Sequence, residues 1–191
     1  MIPLNTIDIN NDLILRKVMP MDAEDIFNTI DSERDYLGRW LPFVAQTTDI
    51  SNTVSFLNSI LEAEDKKNVC VYTIRYQDSF AGIVGFKATD FDNHKTEIGY
   101  WLGQKFQHKG LMSQSVKTLC DKAFAEMDIN RIQIKCAVGN TRSSNIPKRL
   151  GFKLEGIERD GELLSSGHFT DLETYSLLKS DKPIPHHAVK H

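Results

Sequence analysis

Cysteine is scarce in this chain: Cys70, Cys120 and Cys136 are the only three in 191 residues, and no C-x-x-C pair occurs. That scarcity excludes a disulfide-stapled scaffold and a thiolate zinc site; it fits reduced thiols packed in a core, as in cytosolic proteins. Apolar runs of transmembrane length are missing too, so no membrane span is expected. The opening MIPLNTIDINNDLIL has neither a cationic start nor a continuous apolar core, and so does not read as a signal peptide. No sign of charge dominates: 23 Lys and Arg stand against 26 Asp and Glu, a formal net charge of −3. There is no general basic footprint for nucleic acid, and any basic site must be local, as at residues 105–109. Repeats and low-complexity segments are absent as well. What remains is a 40% hydrophobic chain of single-domain length, expected in the cytoplasm, with a frayed tail at 181–191 whose three histidines are more simply solvated than metal-binding.

Hydrophobic periodicity divides residues 1–180 into regular elements. Strands are expected at 12–18, 69–76, 81–87, 97–102, 131–138, 152–159 and 170–179. The Gln77-Asp78-Ser79 turn makes the second and third a hairpin. One helix opens at Asp22 with Ile26, Phe27 and Ile30 on one face, followed by a broken helical pattern over 32–41. A second opens at Ser51 or Asn52 and carries Val54, Leu57, Ile60 and Leu61. A long third helix is marked by Val116, Leu119, Cys120, Ala123, Phe124 and Met127, and a short fourth covers 142–150. A polar loop is expected at 160–167. The order β-α-α-β-β-β-α-β-α-β-β describes an α/β domain: a mixed, mostly antiparallel sheet of about seven strands flanked by about four helices.

The segment EIGYWLGQKFQHKGLMSQSVK, residues 97–117, carries the clearest chemistry. It reads as a strand, a basic loop with a glycine, and a helix start. Unpaired N–H groups and the positive end of the helix dipole suit a phosphate there. Gly110 allows close backbone approach, and His108 and Lys109 add positive charge.

Gln107 and Gly110 match the Q/R-x-x-G-x-G/A signature of the GNAT acyltransferases, although Met112 stands where that signature has a small residue. EIGYWL before the loop, Asn140-Thr141-Arg142-Ser143, and Lys148-Arg149-Leu150-Gly151-Phe152 extend the likeness over residues 13–179. Together they resemble the branch that contains the RimJ- and RimL-type ribosomal-protein N-terminal acetyltransferases. The resemblance implies acetyl-CoA as cosubstrate and no metal. Gln107, His108, Lys109, Gly110, Leu111, Met112 and Ser113 would hold its pyrophosphate. Leu102, Gly103 and Gln104 would pair with the pantetheine in a gap between the strands at 97 and 131. Asn140 would hydrogen-bond the same arm, or occupy a turn.

Transfer to an amine needs a neutral amine, a stabilised thioester oxygen and a tolerated thiolate. An N-terminal amine with a pKa of about 8 needs modest help in losing its proton. Glu97 is the candidate base, matching the glutamate of the E-I-G-Y-W motif; otherwise it is a strand-end glutamate with no role. Ser143 matches the serine that assists the thiolate in the resembling enzymes. It could instead cap a helix, and Ser144 could do either job. Trp40, in W-L-P-F, resembles the acceptor-loop tryptophan of the branch, or plugs the core. Tyr100 is a substrate-site tyrosine or alternative acid, and Tyr175 a second one, unless either merely packs. Asp171 would bind the acceptor ammonium, or order the loop at 160–167. The acceptor implied is an amine, with a ribosomal protein N-terminus as the candidate, without direct contact to nucleic acid or membrane, in a protein that forms homodimers in related cases. The other readings are acetylation of a small amine (a polyamine, amino sugar or antibiotic) and a non-catalytic CoA-binding sensor.

Direct attack in a ternary complex leaves no acyl-enzyme. Cys70→Ala, Cys120→Ala and Cys136→Ala are therefore each expected to retain turnover, and mass spectrometry of the reacting enzyme should find no acetylated cysteine.

Overall fold

The structure is a computed structural model that describes residues 5–65 and 69–181. Eight strands form one sheet: β1 (Thr6–Asn10), β2 (Leu13–Lys17), β3 (Cys70–Tyr76), β4 (Ser79–Phe86), β5 (Lys95–Leu102), β6 (Arg131–Ala137), β7 (Lys153–Leu163) and β8 (Phe169–Leu178). The helices are α1 (Ala23–Ser32), α2 (Arg34–Leu37), α3 (Phe43–Gln46), α4 (Ile50–Asp65), α5 (Leu111–Glu126) and α6 (Thr141–Arg149). The strand order is β1-β2-β3-β4-β5-β6-β8-β7. Every pairing is antiparallel except β5 with β6. This is the expected mixed α/β architecture with one strand more at the N-terminal edge. The expected segment 12–18 is the second arm of a hairpin whose first arm, β1, carries Ile7 into the core.

Local chemistry sets the elements. Gln77 and Asp78 both take positive φ, 48° and 63°, which closes the β3–β4 hairpin with the twist of its strands. At the start of α4, Asp49 accepts from the Ser51 N–H at 2.8 Å, and Asn52 reaches back to the Asp49 N–H at 3.0 Å. Asp49 is thus the cap and Asn52 its reciprocating partner. The short turn Lys179–Asp181 ends the described chain, and the rest of the expected tail, with its histidines, lies outside the described residues.

The core has two layers, one on each face of the sheet. On one face α5 packs Val116, Leu119, Ala123 and Phe124 against Tyr72, Val84, Phe86, Ile98 and Ile132. On the other, Ile26 and Ile30 of α1 and Leu57 and Ile60 of α4 pack over Val71, Phe80 and Ile83. Asp22, fully buried at the mouth of α1, ties that second layer to the sheet. It bonds Arg16 of β2, Arg75 of β3 at 2.6 Å and the Met19 N–H at 2.8 Å. Arg75 also pairs with Asp25 at 2.7 Å.

Removing the charge of Asp22 leaves two arginines facing a neutral group in a dry site. Asp22→Asn is expected to cost about 3–5 kcal/mol. The urea midpoint should fall sharply at unchanged m-value.

Candidate active site

The parallel pairing of β5 and β6 covers Lys95↔Arg131, Thr96↔Ile132 and Glu97↔Gln133, then stops. Beyond it β5 continues with β4, and β6 with β8. The Lys87 N–H bonds the Glu97 carbonyl and the Gly103 N–H bonds the Ala81 carbonyl, so odd-numbered residues of β5 face β4. By alternation the peptide groups of Tyr100 and Leu102 face the gap. A cavity of about 1320 Å³ runs along it, lined by α1–α4 residues, β5, β6 and the starts of α5 and α6.

At one end lies the glycine loop. Gly110 takes φ 72° and precedes α5 without any side-chain cap. A Cβ there would meet only Gln114 Nε2, at 3.6 Å, so conformation rather than space demands glycine. The Gln114 N–H is the first of the helix to turn inward, onto the Gly110 carbonyl at 3.1 Å. That leaves the N–H groups of Leu111, Met112 and Ser113 at the positive end of the helix, all three residues lining the cavity. The Met112 side chain is buried in the core, which absorbs the bulk that sets it apart from the signature. His108, at φ 62°, and Gln107 also line the cavity. Lys109 does not line it; its Nζ sits 5.6 Å from the centre of the Tyr76 ring. Leu102 lines the cavity, while Gly103 and Gln104 do not. Their N–H groups are taken by the Ala81 carbonyl and by Glu33 Oε2, each at 2.8 Å.

Across the gap, Asn140 caps α6, its Oδ1 accepting from the Ser143 N–H at 3.3 Å. Ser143 Oγ lies 3.3 Å from Cys136 Sγ and 3.4 Å from Tyr100 OH. Tyr100 OH donates to the Ser143 carbonyl at 3.0 Å. Asn140, Ser143, Cys136 and Tyr100 all line the cavity. Burial pushes the Tyr100 phenol well above its ordinary range, and Cys136 beside it adds to the rise. Burial likewise raises the Cys136 thiol, against the Ser143 hydrogen bond. The cluster is therefore protonated and neutral at physiological pH. Ser144 is buried away from the cavity with Lys148 Nζ 3.3 Å from its Oγ, and Tyr175 sits in the core.

The far end is ionic. Glu97 binds Lys87 Nζ at 2.6 Å through one oxygen and accepts from Gln133 Nε2 at 3.2 Å through the other, and it does not line the cavity. Glu162 does line it. Burial raises the Glu162 carboxyl; Lys87 works against the rise and Glu97 reinforces it. Asp171 is outside the cavity, its Oδ1 accepting from the Asp160 N–H at 2.9 Å, which is the loop-ordering alternative in geometric form. Trp40 lines the cavity, with Arg39 5.0 Å over its ring; a Cβ at Gly139 would sit 3.7 Å from that ring. Tyr36 accepts from Gln107 Nε2 and lies under Arg142 at 5.9 Å, so α2 spans the gap.

Sequence reading missed Glu162, Lys87 and Tyr36. Glu162 was hidden because 160–167 reads as a loop. In fact β7 runs on to Leu163 through a register shift between Glu158 and Glu162, with Asp160 at φ 51°. A bulge made of Asp-Gly looks like a turn in sequence, and the alternation resuming at Glu162 and Leu163 was its only signal.

The family model of the acetyltransferase (GNAT) domain matches residues 12–153. A Bacillus subtilis (strain 168) protein provisionally named ribosomal N-acetyltransferase YdaF is 34% identical over 180 residues, covering 92% of this chain and 96% of that one. Two solved structures superpose with a TM-score of 0.87 each. One is the microcin C7 self-immunity acetyltransferase MccE in complex with acetyl-CoA and AMP, 29% identical, covering 91% of this chain and 96% of that one. The other is RimL, the ribosomal L7/L12 α-N-protein acetyltransferase, in complex with coenzyme A, 28% identical, covering 91% and 97%. A glycine-gated helix start, a sheet that opens beside it and these likenesses agree: the chain belongs to the GNAT family of acetyltransferases.

Proposed function

We propose that the chain moves the acetyl group of acetyl-CoA to the N-terminal amine of a protein, a ribosomal protein in the cytoplasm. The observation that carries the reading is the single cavity joining the uncapped start of α5 to the Glu162 carboxyl through the β5–β6 gap. The names of YdaF, provisionally a ribosomal N-acetyltransferase, and of RimL, a ribosomal L7/L12 α-N-protein acetyltransferase, support the choice of acceptor.

The donor set suits a thioester of coenzyme A. The N–H groups of Leu111, Met112 and Ser113 would hold the pyrophosphate, and the open edge of β5 at Tyr100 and Leu102 would pair with the pantetheine amides. Bound acetyl-CoA supplies the activated acetyl carbonyl. Glu162 takes the proton of the acceptor ammonium, directly or through one water; its raised proton affinity suits a base working near neutral pH. Ser143 Oγ turns its one proton from Tyr100 OH to the departing sulfur, beside Cys136 Sγ at 3.3 Å, while Asn140 Oδ1 holds the Ser143 N–H. Trp40 and Tyr36 wall the acceptor side and limit water. Glu97, the base expected from its motif, acts in this reading through Lys87.

Three measurements check the reading. In an acceptor screen with acetyl-CoA, thiol release should be fastest with ribosomal-protein N-terminal peptides; turnover only with small amines would overturn the acceptor. By calorimetry, Gly110→Val should weaken acetyl-CoA binding far more than Lys109→Ala, since a β-branched residue resists the positive φ that frames the amides. Glu162→Gln should lower kcat on the order of 10²-fold near neutral pH, with partial recovery at high pH where the amine is already neutral. Glu97→Gln should retain most of its turnover; a loss equal to that of Glu162→Gln would return the base assignment to Glu97.

A further inference from the structure

Lys87 directly follows β4, and its N–H donates to the Glu97 carbonyl at 3.0 Å. Its side chain crosses back over Gly99, where a Cβ would stand 3.3 Å from its Cδ. It ends 2.6 Å from Glu97 Oε1, and the other Glu97 oxygen is held by Gln133 at 3.2 Å. Ammonium, carboxylate and amide thus form a row across β4, β5 and β6, beside the cavity that Lys87 and Glu162 both line. Glu162, by contrast, has no hydrogen bond or ion pair from its carboxylate among the described residues. A cation held by one carboxylate thus lines the same cavity as a second carboxylate that has no such partner among the described residues.

We propose that the Lys87–Glu97 pair is a positioning unit: Lys87, tethered by Glu97, governs the pH at which Glu162 can take a proton from the acceptor. This rests on the reading of Glu162 as base. The two members act on Glu162 with opposite sign. Removing Lys87 leaves the Glu97 charge uncompensated beside the cavity and favours protonated Glu162. Removing the charge of Glu97 frees the ammonium to act on Glu162 alone and favours its ionised form. The other charges near Glu162 stay the same in both cases. Lys135 of β6 is paired with Glu158 of β7 at 2.6 Å, and Asp171 of β8 holds the Asp160 N–H. Asp35, Arg39, His108, Arg142 and Arg149 line other parts of the cavity. Thr170 of β8, opposite Glu162, carries no charge.

The test uses wild type, Lys87→Met, Glu97→Gln and the double variant, each checked for folding by its melting curve. Carbon NMR of the Glu162 carboxyl, assigned with Glu162→Gln, reads its titration without any acceptor. A pH–rate profile with one peptide acceptor reads the acid limb of kcat. Lys87→Met should move both to higher pH by about half a unit or more, and Glu97→Gln should move both to lower pH. If Glu97 tethers Lys87, the double variant should depart from the sum of the two single shifts, the mark of a coupled pair, whereas a simple sum means two independent charges and overturns the unit. An unmoved Glu162 titration in both single variants, or movement in the same direction, overturns the proposal. A titration that moves as expected while the rate profile stays fixed overturns Glu162 as the base and leaves only the charge coupling.

Discussion

The site exists because β5 and β6 stay together for just three residue pairs. Each strand keeps its outer partner, so the sheet remains continuous, but the inner edges are left with peptide groups facing a gap. Backbone groups in such a position demand a partner, and an extended amide-bearing arm is the natural one. The start of α5 lies at the end of β5, and the start of α6 lies just beyond β6. The opening of the sheet therefore brings two helix N-termini to its rim. One is left without a side-chain cap at Gly110, and the other is closed by Asn140. In the proposed reading this difference gives the anion to α5 and leaves α6 to present Ser143.

The two sides of the gap are electrostatically unlike. Ser143, Cys136 and Tyr100 form a neutral, proton-bearing cluster, kept so by burial. Lys87, Glu97 and Glu162 form an ionic one, where the balance of two carboxylates and one ammonium is set by geometry. The neutral and the ionic groups thus lie at different places along the cavity, the separation on which the proposed division between hydrogen-bond donor and base rests.

Most of this architecture was legible in the residues. The period of α5, the Gln77-Asp78 turn and the glycine before the long helix each have a local cause, and local causes can be read locally. Ser143 could be singled out but not separated from Ser144, since which of two neighbours faces a cavity depends on where the helix is docked. Glu97 was found by its motif, but its partner Lys87 comes from the previous strand, and pairing across a loop is not written in spacing. Gly103 and Gln104 lie beside the gap in sequence; their N–H groups are taken by Ala81 and by Glu33, the latter 71 residues away. Glu162 was obscured because a bulge borrows the residues of a turn.

The segment between α1 and α4 touches the rest of the site through few points: Glu33 on the Gln104 N–H, Tyr36 under Arg142 and on Gln107, Trp40 beside Gly139, and the Gly38 carbonyl taken by Ser165. Its apolar underside belongs to a core layer separate from the one beneath α5. In the proposed reading, donor chemistry and acceptor choice are consequently carried on different parts of the chain. A descendant can then rewrite the exposed residues of 33–47 to suit a new amine, keeping Leu37 and Val44 in the core and Glu33 and Tyr36 on the donor loop, while the glycine turn and the opened sheet pass on unchanged.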